Sequence, residues 1–129
     1  MLLRLLADMG VNFDCASLAE IEQVLEMGVD PRRIIFAHPC KSQSALEIAA
    51  TLGIRWTTFD NGDELDKIQR ISPDMELLLR ICVPDLGAKV PMSTKFGARM
   101  EVTRPLLEKA SLLGLKIIGV SFHIGRFHF

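Results

Sequence analysis

Short apolar segments recur along the chain at a regular interval. Four of them end at Phe13, Phe36, Phe59 and Cys82, which gives a repeat of about 23 residues. Their residues are mostly aliphatic, β-branched or aromatic and show little polar alternation, as is typical of strands buried on both faces. The pattern predicts five strands, which are Val11–Cys15, Ile34–Ala37, Arg55–Phe59, Glu76–Val83 and, later in the chain, Lys116–Phe122.

Amphipathic helical patterns with recognisable ends lie between these strands. Ser17 and Glu20 form a capping box, and Ser44 with Glu47 gives a second candidate box. Asn61 can cap a third helix, and Thr103 stands before Pro105 at the predicted start of a fourth. The glycines that would end three of these helices are Gly28, Gly53 and Gly114, and the third helix is expected to end before Pro73.

The apolar stripes of these helices are interpreted as core packing, because periodic apolar faces are how helices dock on a sheet. The residues expected to face inwards are Leu18, Ile21 and Leu25; Ala45, Ile48, Ala49 and Leu52; Leu65 and Ile68; and Leu106, Leu107, Ala110 and Leu113.

Alternation of strands and helices implies right-handed crossovers and a parallel sheet, that is, an α/β protein. An open doubly wound sheet and part of a (β/α)8 TIM barrel both fit this order. No G-x-G-x-x-G and no phosphate-binding G-x-x-x-x-G-K-[ST] motif follows a strand, so the repeat favours barrel units. About five βα units make a partial barrel, since a full one needs about 250 residues. The segment Pro84–Ala98 breaks the period and is predicted to be a long loop.

Composition changes this picture little. With 15 basic and 16 acidic residues the net charge is −1, which gives no electrostatic case for a nucleic-acid or membrane partner. No apolar run approaches the ~18 residues that would span a bilayer, and no signal peptide is visible, so the cytosol is the expected location. Three widely spaced cysteines argue against a disulfide framework, and His123 and His128 lack zinc-site spacing, so no metal is expected.

Polar residues stand at the carboxyl ends of the predicted strands, where parallel α/β proteins bind ligands. They are Asp14, His38, Asp60, Arg80 and His123. Each has a structural alternative: a turn contact for Asp14, a helix cap for Asp60, an ion pair for Arg80 and a packing role for His123. Arg80 is the hardest to explain structurally, because a guanidinium among apolar neighbours must be paired or bound to a ligand.

Two lysines near the strand ends have open interpretations. Lys41 is either a phosphate contact or a solvated loop residue, and the second interpretation is favoured. Lys95 begins a Lys-Phe-Gly-Ala motif and could pair with an acidic group across a subunit interface, while Gly97 suggests close backbone approach or positive φ.

Six motifs together resemble the ornithine decarboxylase family, whose members use pyridoxal 5′-phosphate (PLP) and fold as an alanine-racemase-like barrel. The motifs are Phe13-Asp-Cys-Ala-Ser17, Ile34-Ile-Phe-Ala-His-Pro-Cys-Lys41, Thr58-Phe-Asp60, Leu79-Arg-Ile81, Lys95-Phe-Gly-Ala98 and Gly119-Val-Ser-Phe-His-Ile-Gly125. The resemblance implies that residues 1–125 form part of a PLP-binding barrel domain and that residues 126–129 are an unrelated tail. Antizyme inhibitors, which are non-catalytic relatives, share much of the pattern.

The resemblance also implies roles for individual residues. Asp14 and Glu20 match acidic residues near the cofactor, and Arg80 matches an arginine of the cofactor site. His123 matches the histidine that stacks on the pyridine ring, and Lys95 matches a loop lysine that pairs with the partner subunit. The stretch Gln43–Lys67 overlaps the surface by which animal members bind antizyme. The family forms homodimers and acts on a small amino acid.

Some family features are missing from this sequence. No lysine stands in the tyrosine-alanine-valine-lysine context that forms the Schiff base with the cofactor, and Gly125 is followed by Arg126 instead of Ser-Gly. His38 stands where asparagine is usual. Three hypotheses follow: an incomplete ornithine decarboxylase that is inactive alone, a non-catalytic antizyme-binding regulator, and an open half-barrel with a role of its own.

Overall fold

The computed structural model describes residues 2–82 and 97–122, together with the backbone of residues 88–90 and 126–127. In chain order the elements are α1 (Leu2–Asp8), β1 (Phe13–Cys15), α2 (Leu18–Glu26), β2 (Ile34–Phe36), α3 (Gln43–Thr51), β3 (Trp56–Phe59), α4 (Gly62–Ile71), β4 (Glu76–Arg80), β5 (Ala88–Val90), α5 (Met100–Leu112), β6 (Lys116–Ser121) and β7 (Arg126–Phe127). A short 3-10 turn, Pro31–Arg33, precedes β2.

Five strands form one parallel sheet in the order β1-β2-β3-β4-β6. Four of its strands are sequential neighbours, and α2, α3, α4 and α5 each connect one strand to another. All five predicted strands are confirmed, with boundaries that differ by one to three residues. The parallel pairing also confirms the predicted βα units.

The hydrophobic core lies between one face of the sheet and the helices. Leu77 and Leu79 of β4 and Phe59 of β3 point to this side and are almost completely buried. The helices contribute Ile21 and Val24, Leu46 and Ala49, Leu65 and Ile68, and Leu106 and Ala110. Burial of each large aliphatic side chain contributes about 1.5–3 kcal/mol, so this layer is the main stabilising feature of the fold.

Two predicted helix starts are wrong. Ser42, rather than Ser44, caps α3, because its hydroxyl accepts a hydrogen bond from the Ala45 amide at 3.1 Å. The fourth predicted helix, α5, begins at Met100 and includes Pro105. The Thr103 hydroxyl donates to the Met100 carbonyl oxygen within the helix at 2.8 Å. Thr103 therefore lies inside the helix that it was expected to precede.

The apolar stripes are partly confirmed. Ile21, Ala49, Leu65, Ile68, Leu106 and Ala110 are buried as expected, whereas Ile48 and Leu107 are exposed. Helix α3 begins two residues earlier than predicted, and it buries Leu46 while Ile48 is exposed. Each of the three predicted helix-ending glycines follows its helix with a positive φ.

The predicted loop Pro84–Ala98 contains one short strand, so the prediction of an irregular segment is corrected there. That strand, β5, pairs antiparallel with β7, which lies in the predicted tail. Residues 83–87 and 91–96 lie outside the described residues. Within the described part of the chain, no helix is long and apolar enough to span a membrane.

Candidate functional site

One face of the parallel sheet turns away from the helices and carries polar side chains at its carboxyl end. Thr58 pairs with Leu78, and Arg80 pairs with Ser121. Because side chains alternate along a strand, these residues face the side opposite Leu77 and Leu79. The register thus places hydroxyl and guanidinium groups from three neighbouring strands on one surface.

A cavity of about 460 Å³ opens at this end of the sheet. Its walls are formed by Asp14, Ala16, Ile35, Ala37, His38, Pro39, Thr58, Arg80, Ser121 and Phe122. Each strand of the five-stranded parallel sheet, β1, β2, β3, β4 and β6, contributes a lining residue. This volume is within the range of small-molecule and cofactor sites, which are concave and mostly apolar with a few polar groups.

The structure brings together three of the five polar residues that were predicted to lie at the carboxyl ends of the strands. Asp14, His38 and Arg80 all line the cavity. Lys95 and His123 lie outside the described residues, so their expected roles in the partner contact and the ring stack stay predictions. Among the described residues, no group of three histidines, cysteines or acidic residues could hold a metal ion.

His38 has a defined ring orientation. Its Nδ1 atom accepts a hydrogen bond from the Cys40 amide at 3.2 Å, which places the proton of the neutral ring on Nε2. The ring is half-buried in the wall of the cavity. A histidine held in one tautomer can present a defined donor to a bound molecule.

Asp60 has a structural role that the sequence did not predict. Asn61 caps α4, since its Oδ1 accepts from the Glu64 amide at 2.9 Å. Asp60 instead accepts a hydrogen bond from the Gly97 amide at 2.8 Å, through Oδ2. This contact holds Gly97 and Ala98 beside β4, where Ala98 forms a parallel bridge to Ile81. The helix-cap interpretation of Asp60 is therefore wrong.

Glu20 is engaged at the start of α2. Its Oε1 accepts from the Ala16 amide at 3.2 Å and lies 3.4 Å from the Ser17 hydroxyl, while the Ser17 hydroxyl accepts from the Glu20 amide. The predicted capping box is confirmed, with Ala16 in place of Ser17 as the backbone donor. Glu20 does not line the main cavity among the described residues, and its cofactor role stays a prediction.

Lys41 is neither a solvated loop residue nor a phosphate contact, and both interpretations are corrected. Its side chain is completely buried, and its Nζ lies 2.9 Å from a carboxylate oxygen of Glu64. The same Nζ donates to the carbonyl oxygens of His38 at 2.7 Å and Thr58 at 2.6 Å. Burial lowers the pKa of Lys41, and the Glu64 carboxylate opposes that shift. Lys67 pairs with the other Glu64 oxygen at 2.7 Å.

This buried network connects the ends of two strands that form the cavity. Lys41 follows β2, its acceptor Thr58 lies on β3, and Glu64 belongs to α4. Lys67 also donates to the Lys41 carbonyl oxygen. A cation with three strong partners holds the backbone at this point in a single arrangement, so the cavity wall is preorganised.

Two hydroxyl groups on the cavity wall have no hydrogen-bond partner in the described part of the chain. They are Thr58 Oγ1, on a residue that is 2% exposed, and Ser121 Oγ. Buried polar atoms are nearly always paired, so unpaired hydroxyls beside a cavity indicate groups that a bound polar ligand would satisfy. The sequence did not single out either residue. A threonine within an apolar run is typical of a strand, and a single serine there does not by itself indicate a ligand site.

The chain matches the family model described as "Pyridoxal-dependent decarboxylase, pyridoxal binding domain" over residues 1–127. Ornithine decarboxylase of Neurospora crassa is 57% identical over 124 residues, which are 96% of this chain and 26% of that protein. Antizyme inhibitor 2 of Xenopus laevis is 47% identical over 122 residues, 95% of this chain and 27% of that protein. The chain spans about a quarter of the length of these curated relatives.

Solved structures agree with the sequence comparisons. The Paramecium bursaria Chlorella virus arginine decarboxylase superposes with a TM-score of 0.93 at 46% identity, over 96% of this chain and 34% of that one. The complex of SrLDC with PLP and cadaverine gives a TM-score of 0.82 at 39% identity, over 95% and 30%. The chain therefore belongs to the pyridoxal-dependent decarboxylase family, within its pyridoxal-binding domain, and its five βα units are a partial barrel.

Proposed function

We propose that the cavity at the carboxyl ends of the strands binds PLP, and that the protein to which this segment belongs decarboxylates L-ornithine to putrescine, as part of polyamine biosynthesis. The observation that carries the proposal is the set of cationic, acidic and unpaired hydroxyl groups around one cavity in a chain 57% identical to an ornithine decarboxylase. PLP has a planar pyridine ring with a ring nitrogen, a hydroxyl substituent and a phosphate group, and this mixed lining suits it.

The residues of this chain have separate tasks in that proposal. Arg80 supplies positive charge from β4, an interior strand of the sheet, and Asp14 supplies negative charge from the edge strand β1. Thr58 and Ser121 offer hydroxyls that can donate or accept. When bound, PLP supplies the electron sink that decarboxylation of an amino acid requires. The protein's share is binding, orientation and exclusion of water.

This segment does not carry every group that the reaction needs. No lysine of this chain stands in the family's Schiff-base context, and the whole relatives are about four times longer. We therefore propose that the 129-residue chain binds PLP without a covalent link and does not decarboxylate ornithine by itself. The lysine and the remaining walls of the site would come from other parts of a whole enzyme.

A chimera tests the proposed reaction. The matching 124-residue segment of the Neurospora crassa enzyme would be replaced by this chain, and release of carbon dioxide from L-ornithine, L-lysine and L-arginine would be measured. We expect ornithine to be the best substrate. Arg80→Leu should abolish activity, whereas Arg70→Leu, on the exposed surface of α4, should leave it intact. A folded chimera that releases no carbon dioxide from L-ornithine would contradict the proposal.

A second candidate function is that of a non-catalytic regulator that binds antizyme. The 47% identity to Antizyme inhibitor 2 supports it, and α3 and α4 present an exposed polar surface within the stretch Gln43–Lys67. Antizyme immobilised on a resin should then retain the full chain. Glu47→Lys on α3 should weaken retention, and Glu22→Lys on α2 is the matched control. Absence of retention by the wild-type chain would exclude this function.

The assembly state and the cellular location of the whole protein are further parts of the proposal. A homodimer is the expected state of the whole protein, with Lys95 in the subunit contact. The cytosol is the proposed location. Size-exclusion chromatography with light scattering tests the first proposal, and fractionation of the source cells tests the second.

A further inference from the structure

The two threonines of β3 lie on opposite faces of the sheet and differ in the hydrogen bonding of their hydroxyls. Thr57 faces the helices, and its hydroxyl donates to the Phe36 carbonyl oxygen at 2.8 Å. Thr58 faces the cavity, is 2% exposed, and its hydroxyl has no partner within the described residues. An unpaired buried hydroxyl destabilises a fold, so its presence at a cavity wall points to a partner that arrives with a ligand.

Ser121 repeats this arrangement two strands away. Its hydroxyl is also buried and has no partner among the residues that the structure describes, and Ser121 lies directly opposite Arg80 in the register of β4 and β6. Thr58 approaches β4 from the other side, opposite Leu78. Arg80 on β4 is thus flanked on each neighbouring strand by one hydroxyl that has no partner in the described part of the chain. A ligand on this wall would meet the guanidinium and both hydroxyls.

The backbone that carries Thr58 is held in place. The buried Lys41 ammonium donates to the Thr58 carbonyl oxygen at 2.6 Å and to the His38 carbonyl oxygen at 2.7 Å. Glu64 fixes that ammonium at 2.9 Å. A threonine with a fixed backbone and a β-branched side chain keeps few rotamers, so its hydroxyl is preorganised towards the cavity.

We propose that Thr58 and Ser121 are ligand-binding residues of this cavity, whose hydroxyls hydrogen-bond to polar oxygen or nitrogen atoms of bound PLP. Lys41 acts as a positioning residue through the Thr58 backbone. This inference rests on the proposed function, since PLP is the ligand that it names. It adds two contacts that neither the strand-end pattern nor the family resemblance indicated.

The test uses the full chain and four variants: Thr58→Val, Thr58→Ser, Ser121→Ala and the matched control Thr57→Val. Thermal unfolding without ligand and equilibrium dialysis with PLP are measured for each. Thr58→Val should unfold at or above the wild-type temperature, because it removes an unpaired hydroxyl, and should bind PLP about three- to tenfold more weakly. Ser121→Ala should behave in the same way, and Thr58→Ser should keep the wild-type affinity.

Thr57→Val should give the opposite pattern, with a lower unfolding temperature and unchanged PLP affinity. If Thr58→Val loses stability as Thr57→Val does, the hydroxyl has a partner inside the fold and the inference is overturned. It is also overturned if PLP binds Thr58→Val as well as wild type, or if Thr58→Ser is as weak as Thr58→Val. Absence of PLP uptake by wild type overturns the proposed function first, and this inference with it.

Discussion

At the scale of single residues, Lys41–Glu64 is the most buried of the ion pairs between described residues. Both side chains are almost fully inaccessible, and each has a second partner in the network. Loss of one member of a buried pair leaves an uncompensated charge in a medium that solvates it poorly. The stability of the cavity wall therefore depends on the presence of both members of the pair.

Replacement of Lys41 by methionine should lower the free energy of unfolding by about 3 kcal/mol, because Glu64 loses a partner and two carbonyl oxygens lose their donor. Urea denaturation of the full chain measures this change. Lys67→Met is the control and should cost less, since the Lys67 side chain is 22% exposed. A Lys41→Met variant within about 0.5 kcal/mol of wild type would contradict this role for the network.

The cysteines should differ in reactivity. Burial, together with nearby Glu20 and Asp14, raises the pKa of Cys15 to about 11. Partial burial raises the pKa of Cys40 as well, so both thiolates are scarce at pH 8, but the Cys15 side chain is inaccessible whereas Cys40 is exposed. Iodoacetamide at pH 8 should therefore modify Cys40 well before Cys15, as peptide mass mapping would show. Equal rates in the folded chain would contradict this, and urea should make the two rates similar.

Several site residues could be predicted from the sequence, and the reason is topological. Asp14, His38 and Arg80 directly follow or end apolar runs, and strand ends of a parallel sheet converge. Lys41 could not be assigned, because its burial depends on Glu64, which is 23 residues away on another element. Thr58 could not be distinguished from Thr57, since only the register of β3 decides which hydroxyl is paired.

At the scale of elements, the strands were predictable because their apolar runs are buried by the sheet itself. The start of α5 was not, because Thr103 and Pro105 resemble an N-cap and first turn. The helix extends one turn further towards the N-terminus, where Arg99 occupies the cap position without a side-chain hydrogen bond. Pro105 is exposed there, on the solvent side of the helix.

Among the glycines that the structure describes, Gly97 is the one whose substitution should disturb the site most. It has a φ of +111°, and a Cβ atom would lie 2.8 Å from the Ile81 carbonyl carbon and oxygen. Gly97→Ala should lower the free energy of unfolding by about 2–3 kcal/mol. Gly114→Ala is the control, with φ of +75° and no atom within 4 Å, and should cost about 1 kcal/mol. Equal costs in chemical denaturation would show that the Ile81 contact is unimportant.

Glu76 connects three strands of the sheet and should make stability depend on pH. It accepts from the Trp56 indole at 3.0 Å and pairs with Lys116 at 3.0 Å. Lys116 and then Trp56 lower the pKa of Glu76 below its usual value. A carboxylate with a lowered pKa in the folded state stabilises above its unfolded pKa, and this contribution is lost as the pH falls through the folded value.

The difference in stability between wild type and Glu76→Gln should therefore be present at pH 6 and shrink as the pH is lowered to about 3. Urea denaturation at a series of pH values measures it. Glu108→Gln, in an exposed pair with Arg104, is the control and should show little change at either pH. A difference that is constant across the series would contradict the assignment to Glu76.

At the scale of the whole molecule, the described sheet is open on both sides. β1 and β6 are its outer strands, and Ile118, Val120 and Phe122 at its β6 edge are exposed large hydrophobic residues. In a closed barrel further units would cover such an edge. The chain spans about a quarter of the length of its curated relatives, which agrees with a partial barrel.

We propose above that the carboxyl-end cavity binds PLP through residues of this chain. Equilibrium dialysis of PLP against the purified full chain tests it most directly, with Arg80→Leu and the surface control Arg70→Leu beside it. We predict one bound PLP per wild-type chain, unchanged affinity in Arg70→Leu and at least about tenfold weaker binding in Arg80→Leu. No uptake by wild type, or equal uptake by Arg80→Leu, would show that this cavity does not bind PLP in the proposed way.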